Sequence, residues 1–361
     1  MDSRLRRGAP ATTVRPPRRA RQALVLAGLA VTLLACVLLA VGAGPVAVHP
    51  ATTVQVVGSH LLPQLVAPVP DPLDDQIIWE FRFPRVLLGV VVGAGLAVVG
   101  AVMQAVVRNP LADPYLLGVS AGAALGAVLV LVLGSAAAAG LSLPAAAFGG
   151  ALVSTLAIYL LARRRGRITP LRMVLAGVAL AYLFQAGYSY LLLIADPRGA
   201  QSVLFWLLGS LGSARWDALP LPTAVVALGT VALLTQSRPL NALLTGDESA
   251  RSLGLGVDRF RAAMLVLTSV LVGTMVAVSG AIAFVGLIVP HAVRLVLGAD
   301  HRRLMPAAAL VGAIFLVLVD LAARTVAEPT ELPLTIVTAV VGVPFFLWLL
   351  GRDTSAERIA G

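Results

Sequence analysis

The side chains able to do chemistry are few, and their spacing excludes more than it admits. All 27 basic residues are arginine. Without a lysine to reach nucleotide phosphates, the chain cannot carry a standard Walker A loop, so any ATP it depends on is bound by another subunit. His49, His60, His291 and His301 show no metal-ligand spacing, and the single cysteine, Cys36, excludes an intramolecular disulfide framework and a cysteine-cluster metal site. No H-E-x-x-H, no paired-aspartate prenyl-transfer motif and no Ser–His constellation occurs, which makes an enzyme the poorest reading. One acid, Asp320, sits within an apolar run. Such groups are costly in lipid and by default mark a proton or ion site, as in an ion-coupled carrier. Arg324 lies one helical turn further on and can pair with it, which explains Asp320 without transport.

The elements that must position these residues are membrane spans. The chain is 59% hydrophobic and 12% charged, with a mean hydropathy of +0.94, too little charge to cover a soluble domain of 361 residues. Apolar runs long enough to cross ~30 Å of hydrocarbon are expected at 23–44, 86–107, 117–134, 144–162, 173–195, 218–236, 262–280, 281–298, 306–324 and 333–350. The fold class is therefore all-α, a polytopic membrane protein of ten helices. Residues 1–22 read as a disordered Arg/Pro-rich tail, 23–351 as a single membrane domain and 352–361 as a C-terminal tail. The first run exceeds the ~7–15 residues of a signal-peptide core and is expected to be retained. With the N-terminus inside, 22 of the 27 arginines fall in or beside cytoplasmic segments, as the positive-inside rule requires. Both termini are then cytoplasmic. The net charge of +10 is accounted for by these topology signals, so nucleic acid is not expected as a partner.

Three connections exceed what a bundle needs. Residues 45–84 read as a small extracytoplasmic cap. The run 202–211 is too short to cross and should lie at the interface or re-enter and line a cavity. Residues 239–261 are polar and helix-forming on the cytoplasmic side. Gly89 and Gly93, and Gly118, Gly122 and Gly126, place small residues four apart, a pattern for close helix approach in lipid. Between these two spans R-N-P-L-A-D-P, Arg108 to Pro114, forbids a continuous helix.

The run from Gly100 to Ala123, G-A-V-M-Q-A-V-V-R-N-P-L-A-D-P-Y-L-L-G-V-S-A-G-A, resembles the permease subunits of iron–siderophore, haem and vitamin B12 ABC importers. So do G-D-E-S-A-R-S-L-G at Gly246 to Gly254, F-V-G-L-I-V-P-H at Phe284 to His291, E-L-P at Glu331 to Pro333 and G-V-P-F-F at Gly342 to Phe346. The resemblance runs from about Trp79 to Leu350 and departs from the usual pattern at Ala281, Ala283 and Thr335. It implies the type II ABC importer permease fold, in the cytoplasmic (inner) membrane. The implied partners are a second copy of the chain or a close paralogue, a cytoplasmic subunit that binds ATP and Mg, and an extracytoplasmic substrate-binding protein. This chain would bind no cofactor of its own, and lipid would surround it. A ferric siderophore is the first expectation for cargo, with haem and a corrinoid next.

Three groups of residues carry the expected function. Thr245 with Glu248 reads as a capping box that starts a short helix and Gly254 can end it, leaving Ala250, Arg251 and Leu253 exposed. The resemblance implies that this helix docks on the ATPase. Arg82, Arg85 and Arg324 defy the charge bias, which snorkelling explains in part. The resemblance implies that they receive acidic groups of the binding protein at a rim. Tyr182, Gln185 and Ser189 share one helical face and could line a polar path or make interhelical hydrogen bonds.

Overall fold

A computed structural model describes residues 18–46, 48–69, 71–113, 118–137, 140–164 and 166–360. Residues 1–17 of the expected tail and Pro114–Leu117 of the proline turn lie outside them. The long apolar runs become helices because lipid offers no partner to a free N–H or C=O, and a helix satisfies its own. In chain order these are α1 (Arg18–Gly42), α2 (Pro50–Leu61) and α3 (Pro72–Asp75), which passes through a π-helical segment, Gln76–Arg82, into α4 (Phe83–Val106). Then come α5 (Val119–Ala137), α6 (Leu143–Ala162), a hairpin of β1 (Arg163–Arg164) with β2 (Arg167–Ile168), α7 (Pro170–Ile194) and α8 (Pro197–Leu207). The chain continues through α9 (Pro220–Thr235), α10 (Ser237–Leu244), α11 (Asp247–Ser252), α12 (Val257–Ser279), α13 (Val285–Leu297), α14 (His301–Thr325) and α15 (Leu334–Ala360).

Among the described residues eight helices are long and apolar enough to cross a membrane, and two shorter apolar ones, Val285–Leu297 and Leu334–Leu349, occupy the places of the eighth and tenth expected spans. The ten-helix expectation thus holds with three adjustments. The second span starts far earlier, since helix runs unbroken from Pro72 to Val106. The last helix continues as backbone helix to Ala360, through most of the segment expected as a tail. The eighth, expected over 281–298, is only 13 residues long, or ~20 Å at 1.5 Å per residue. It is short because the chain leaves helical geometry between Gly280 (φ 65°) and Phe284 (φ 71°).

That break is tolerated because it is buried against two others. Ser210 N–H donates to Ser279 C=O at 2.9 Å, Leu334 N–H to Gly209 C=O at 3.1 Å and Thr335 N–H to Leu208 C=O at 3.0 Å. The Thr335 hydroxyl donates to Ala281 C=O at 2.9 Å. The ends of α8, α12 and the loop before α15 therefore satisfy one another, as irregular backbone at membrane depth must. Two departures from the usual pattern, Ala281 and Thr335, meet in this bond.

At the same end of the bundle, α2 and α3 form the expected cap. His60 stacks on Trp79 with centroids 4.1 Å apart and lies 2.9 Å from Asp75. Trp216 donates its indole N–H to Trp79 C=O at 2.7 Å.

The core is built around α4. A Cβ placed on Gly93 would lie 2.3 Å from Gly312 C=O of α14, and one on Gly100 would lie 2.0 Å from Gly286 C=O of α13. The helices meet backbone to backbone, as small residues permit in lipid. The same holds for α5 on α6, where Gly122 faces Gly150. Gly93→Val should therefore cost more than the ~1–3 kcal/mol of ordinary overpacking, since a backbone carbonyl cannot rotate away. Gly28→Val, where nothing lies within 4 Å, should leave the melting temperature in detergent unchanged. Equal thermal stability of the two variants would contradict this packing.

Candidate functional site

Two clusters of buried charge sit at opposite ends of the bundle. The first joins the short helix α11 to the spans. Its N-terminus differs from expectation, because α10 and α11 are separated by only two residues. Thr245 is used to end α10, donating its hydroxyl to Ala242 C=O at 2.8 Å, and the capping box with Glu248 does not form. Gly246 (φ 108°) makes the corner, and Asp247 and Glu248 fill the first turn, where negative charge suits the helix dipole. The C-terminus is as expected. Gly254 (φ 86°) reverses the chain, with Gly254 N–H on Arg251 C=O at 2.9 Å and Leu255 N–H on Ala250 C=O at 3.1 Å, the Schellman pattern.

Glu248, Arg251 and Leu253 face outward, Leu253 with 72% of its surface exposed. Ala250, expected on that face, is instead buried with Leu243 and Val257. This contact seats α11 on α10 and the start of α12.

Arg261, four residues into α12 and fully buried, fastens the seat. It grips Asp247 bidentately, with Nη1–Oδ2 and Nη2–Oδ1 both at 2.7 Å. Its Nε donates to Val106 C=O, the last residue of α4, and its Nη1 to Ile168 C=O in β2, each at 3.2 Å. Asp258 accepts from Ile168 N–H at 2.8 Å and from Arg251 at 3.3 Å. Asn241 of α10 donates to Asp300 at 2.7 Å and accepts from His301 N–H at 3.0 Å, reaching the start of α14. Arg261 holds the Asp247 carboxyl below the usual carboxylate range.

The second cluster occupies the other end of α4 and α14. Asp320 is 1% exposed and accepts from Arg85 Nε at 2.9 Å and Arg324 Nε at 3.0 Å. Arg85 forks onto Glu331 at 2.8 and 2.9 Å. Arg324 also donates to Ala40 C=O at 2.9 Å and Ala43 C=O at 3.1 Å. Arg82 donates to Gly42 C=O at 2.9 Å and to Val41 and Val46 C=O. The last carbonyls of α1, which have no partner within their own helix, are thus capped by two guanidinium groups. Three cations face two carboxylates, and the negative end of the α1 dipole offsets the excess.

Arg82, Arg85 and Arg324 are all buried, because their acceptors lie inside the chain. The pairing of Asp320 with Arg324 is present, joined by Arg85. Glu331 of the E-L-P motif, to which the sequence assigns no role, is the fork partner of Arg85.

Beside this cluster lies a cavity of about 510 Å³, lined by Leu88, Ser202, Phe205, Trp206, Ser210 and Ser279 among others. The short run 202–211, expected to lie at the interface or re-enter and line a cavity, contributes Ser202, Phe205, Trp206 and Ser210 to this cavity's wall. Tyr182, Gln185 and Ser189 do not line it. All three are exposed along one face of α7, on the outer surface of a single chain. Among the described residues no three His, Cys, Asp or Glu side chains converge as metal ligands.

Residues 29–352 match the FecCD transport family. The chain is 44% identical over 283 residues to the cobalamin import system permease BtuC of Halobacterium salinarum, covering 78% of this chain and 75% of that one. It is 43% identical over 280 residues to the hemin transport system permease HmuU of Yersinia pestis, covering 76% and 84%. A solved structure of a metal-chelate type ABC transporter in an inward-facing conformation superposes with a TM-score of 0.79 at 32% identity, covering 91% of this chain and 99% of that one.

Each cluster makes a prediction. Asp320→Ala leaves buried Arg324 with no carboxylate and Arg85 with only Glu331, and should cost about 3–5 kcal/mol, read as a large drop in melting temperature. Glu331→Ala, whose partner keeps Asp320, should cost ~1 kcal/mol or less. At the other end, a carboxyl with a depressed pKa stabilises fully above its unfolded value near ~4, and that stability is lost as pH falls through the folded value. Hydrogen exchange of amides 246–254, corrected for intrinsic rate, should therefore accelerate below about pH 4. In Asp247→Asn it should be fast at neutral pH and insensitive to acid, for a loss of roughly 2 kcal/mol, less than for a wholly buried pair.

Proposed function

The chain belongs to the FecCD transport family, and on that premise we propose that it is the membrane permease of an ATP-driven importer, acting as a pair of copies around a shared path. The observation that carries the reading is α11. It is too short to be stable alone, yet it presents Leu253 outward from a seat fixed by Asp247 and Arg261. A helix so held serves to receive force from a partner. Pushed, it moves the end of α4 through Arg261 and Val106, and the start of α14 through Asn241 and Asp300. The partner supplies ATP, Mg and hydrolysis; this chain does no covalent chemistry and alternates access.

The arginine distribution supports placing α11, the β-hairpin and both termini on the cytoplasmic side. The cavity beside Trp206 and the Asp320 cluster then face outward. A soluble protein delivers cargo there, and Arg82, Arg85 and Arg324 hold the surface that it meets. The exposed face of α7 with Tyr182, Gln185 and Ser189 suits the wall of a path between two copies. For cargo, the cobalamin and hemin permeases among its relatives favour a metal-bearing macrocycle, a corrinoid or haem, over the ferric siderophore first expected. An ion-coupled carrier is disfavoured because both Asp320 oxygens are taken by arginines.

Leu253→Asp tests the reading. The variant should insert and melt as the parent does, since the side chain is exposed. Loss of one central contact of ~2 kcal/mol or more should cut ATPase retention and uptake by over tenfold. Proteoliposomes holding the complete transporter should accumulate labelled cobalamin or hemin in preference to a ferric siderophore. Undiminished ATPase retention by Leu253→Asp would remove α11 as the dock.

A further inference from the structure

At the arginine-rich end of the bundle, a narrow groove of about 150 Å³ opens where the start of α1 meets the junction of α13 and α14. α1 contributes Arg21, Gln22, Val25 and Leu26 to its lining, and the α13–α14 junction contributes Val296, Leu297 and Arg303. Neither arginine has a side-chain ion pair or hydrogen bond among the described residues. Asp300, whose charge reaches Arg303, spends Oδ1 on Asn241 and on the N–H of Arg302.

We propose that this groove binds an anionic phospholipid, with its phosphate between Arg21 and Arg303 and an acyl chain along the apolar wall. Two facts fix the occupant. The groove combines two arginines with an apolar run whose Val296 is 78% exposed, beside the start of a helix long and apolar enough to cross a membrane. A phosphate alone would leave that wall uncovered, and a neutral lipid would leave the cations unmatched. The chain's own residues 1–17 are the wrong sign to fill it, holding four arginines against Asp2. Basic pockets between spans on the cytoplasmic side are where such headgroups are held. The bound lipid would join α1 to the α13–α14 junction, whose protein contacts at this end are few enough to leave a groove.

The test uses the full-length permease in detergent, titrated with phosphatidylglycerol or phosphatidylcholine and read by native mass spectrometry. Phosphatidylglycerol should be retained on the order of tenfold more tightly than phosphatidylcholine, since each arginine near the surface adds an attraction that a neutral lipid lacks. Arg21→Gln with Arg303→Gln should abolish the preference. Arg163→Gln with Arg164→Gln, which removes the same charge from the exposed hairpin, should keep it. Val296→Trp, at an exposed position, should block the acyl wall and weaken retention without changing charge. Equal retention of the two lipids would overturn the proposal, as would loss of preference in the hairpin variant or displacement of the lipid by equimolar inorganic phosphate.

Discussion

Everything in this bundle depends on how closely α4 approaches its neighbours. Hydrophobic burial does not drive helix association in lipid, where a tail is as apolar as leucine. Contact must come from shape, and the carbonyls of Gly312 and Gly286 lie where side chains on Gly93 and Gly100 would be. The helices so joined have no compliant layer between them. A displacement at one end of α4 is carried to α14 as a rigid movement rather than absorbed by rotamer changes. The Arg261 clamp and the Asp320 cluster, at opposite ends of this pair, then act on one body.

The buried charges follow from the same geometry. A guanidinium in a membrane protein is tolerable when each of its three nitrogens has an acceptor and the net charge is offset. Arg261 meets this with one carboxylate and two carbonyls, and Arg85 with two carboxylates. In both cases the acceptors come from distant parts of the chain, so the side chain serves as a fastener between elements. Where no charge is available, backbone does the same work, as between the broken ends at Gly209, Gly280 and Leu334.

Much of this was legible beforehand. The ten apolar runs, the cavity-lining run 202–211 and the helix ending at Gly254 follow from length, composition and glycine's tolerance of positive φ. Other features had no such signal. Asp247 and Arg261 are 14 residues apart on different helices, and no spacing rule joins them. An arginine against the charge bias reads as a surface group, because its acceptors at Ala40, Gly42 and Ala43 are backbone carbonyls of a helix that any apolar sequence would supply. The capping box failed for a local reason: Thr245 could close α10 or open α11, and sequence does not rank the two. Ala250 turned inward because a six-residue helix between two others has only one side left to present.

The capping of α1 also sets an order of assembly. A chain emerges N-terminus first, and α1 is complete once Gly42 has been made. Arg82 reaches its carbonyls 40 residues later, but Arg324 is 284 residues beyond Ala40. At roughly 5–20 residues per second of synthesis, the carbonyls of Ala40 and Ala43 wait some tens of seconds, met only by water or headgroups. That end must stay at the interface throughout, so α1, although made before α4 and α14, is finished only after them.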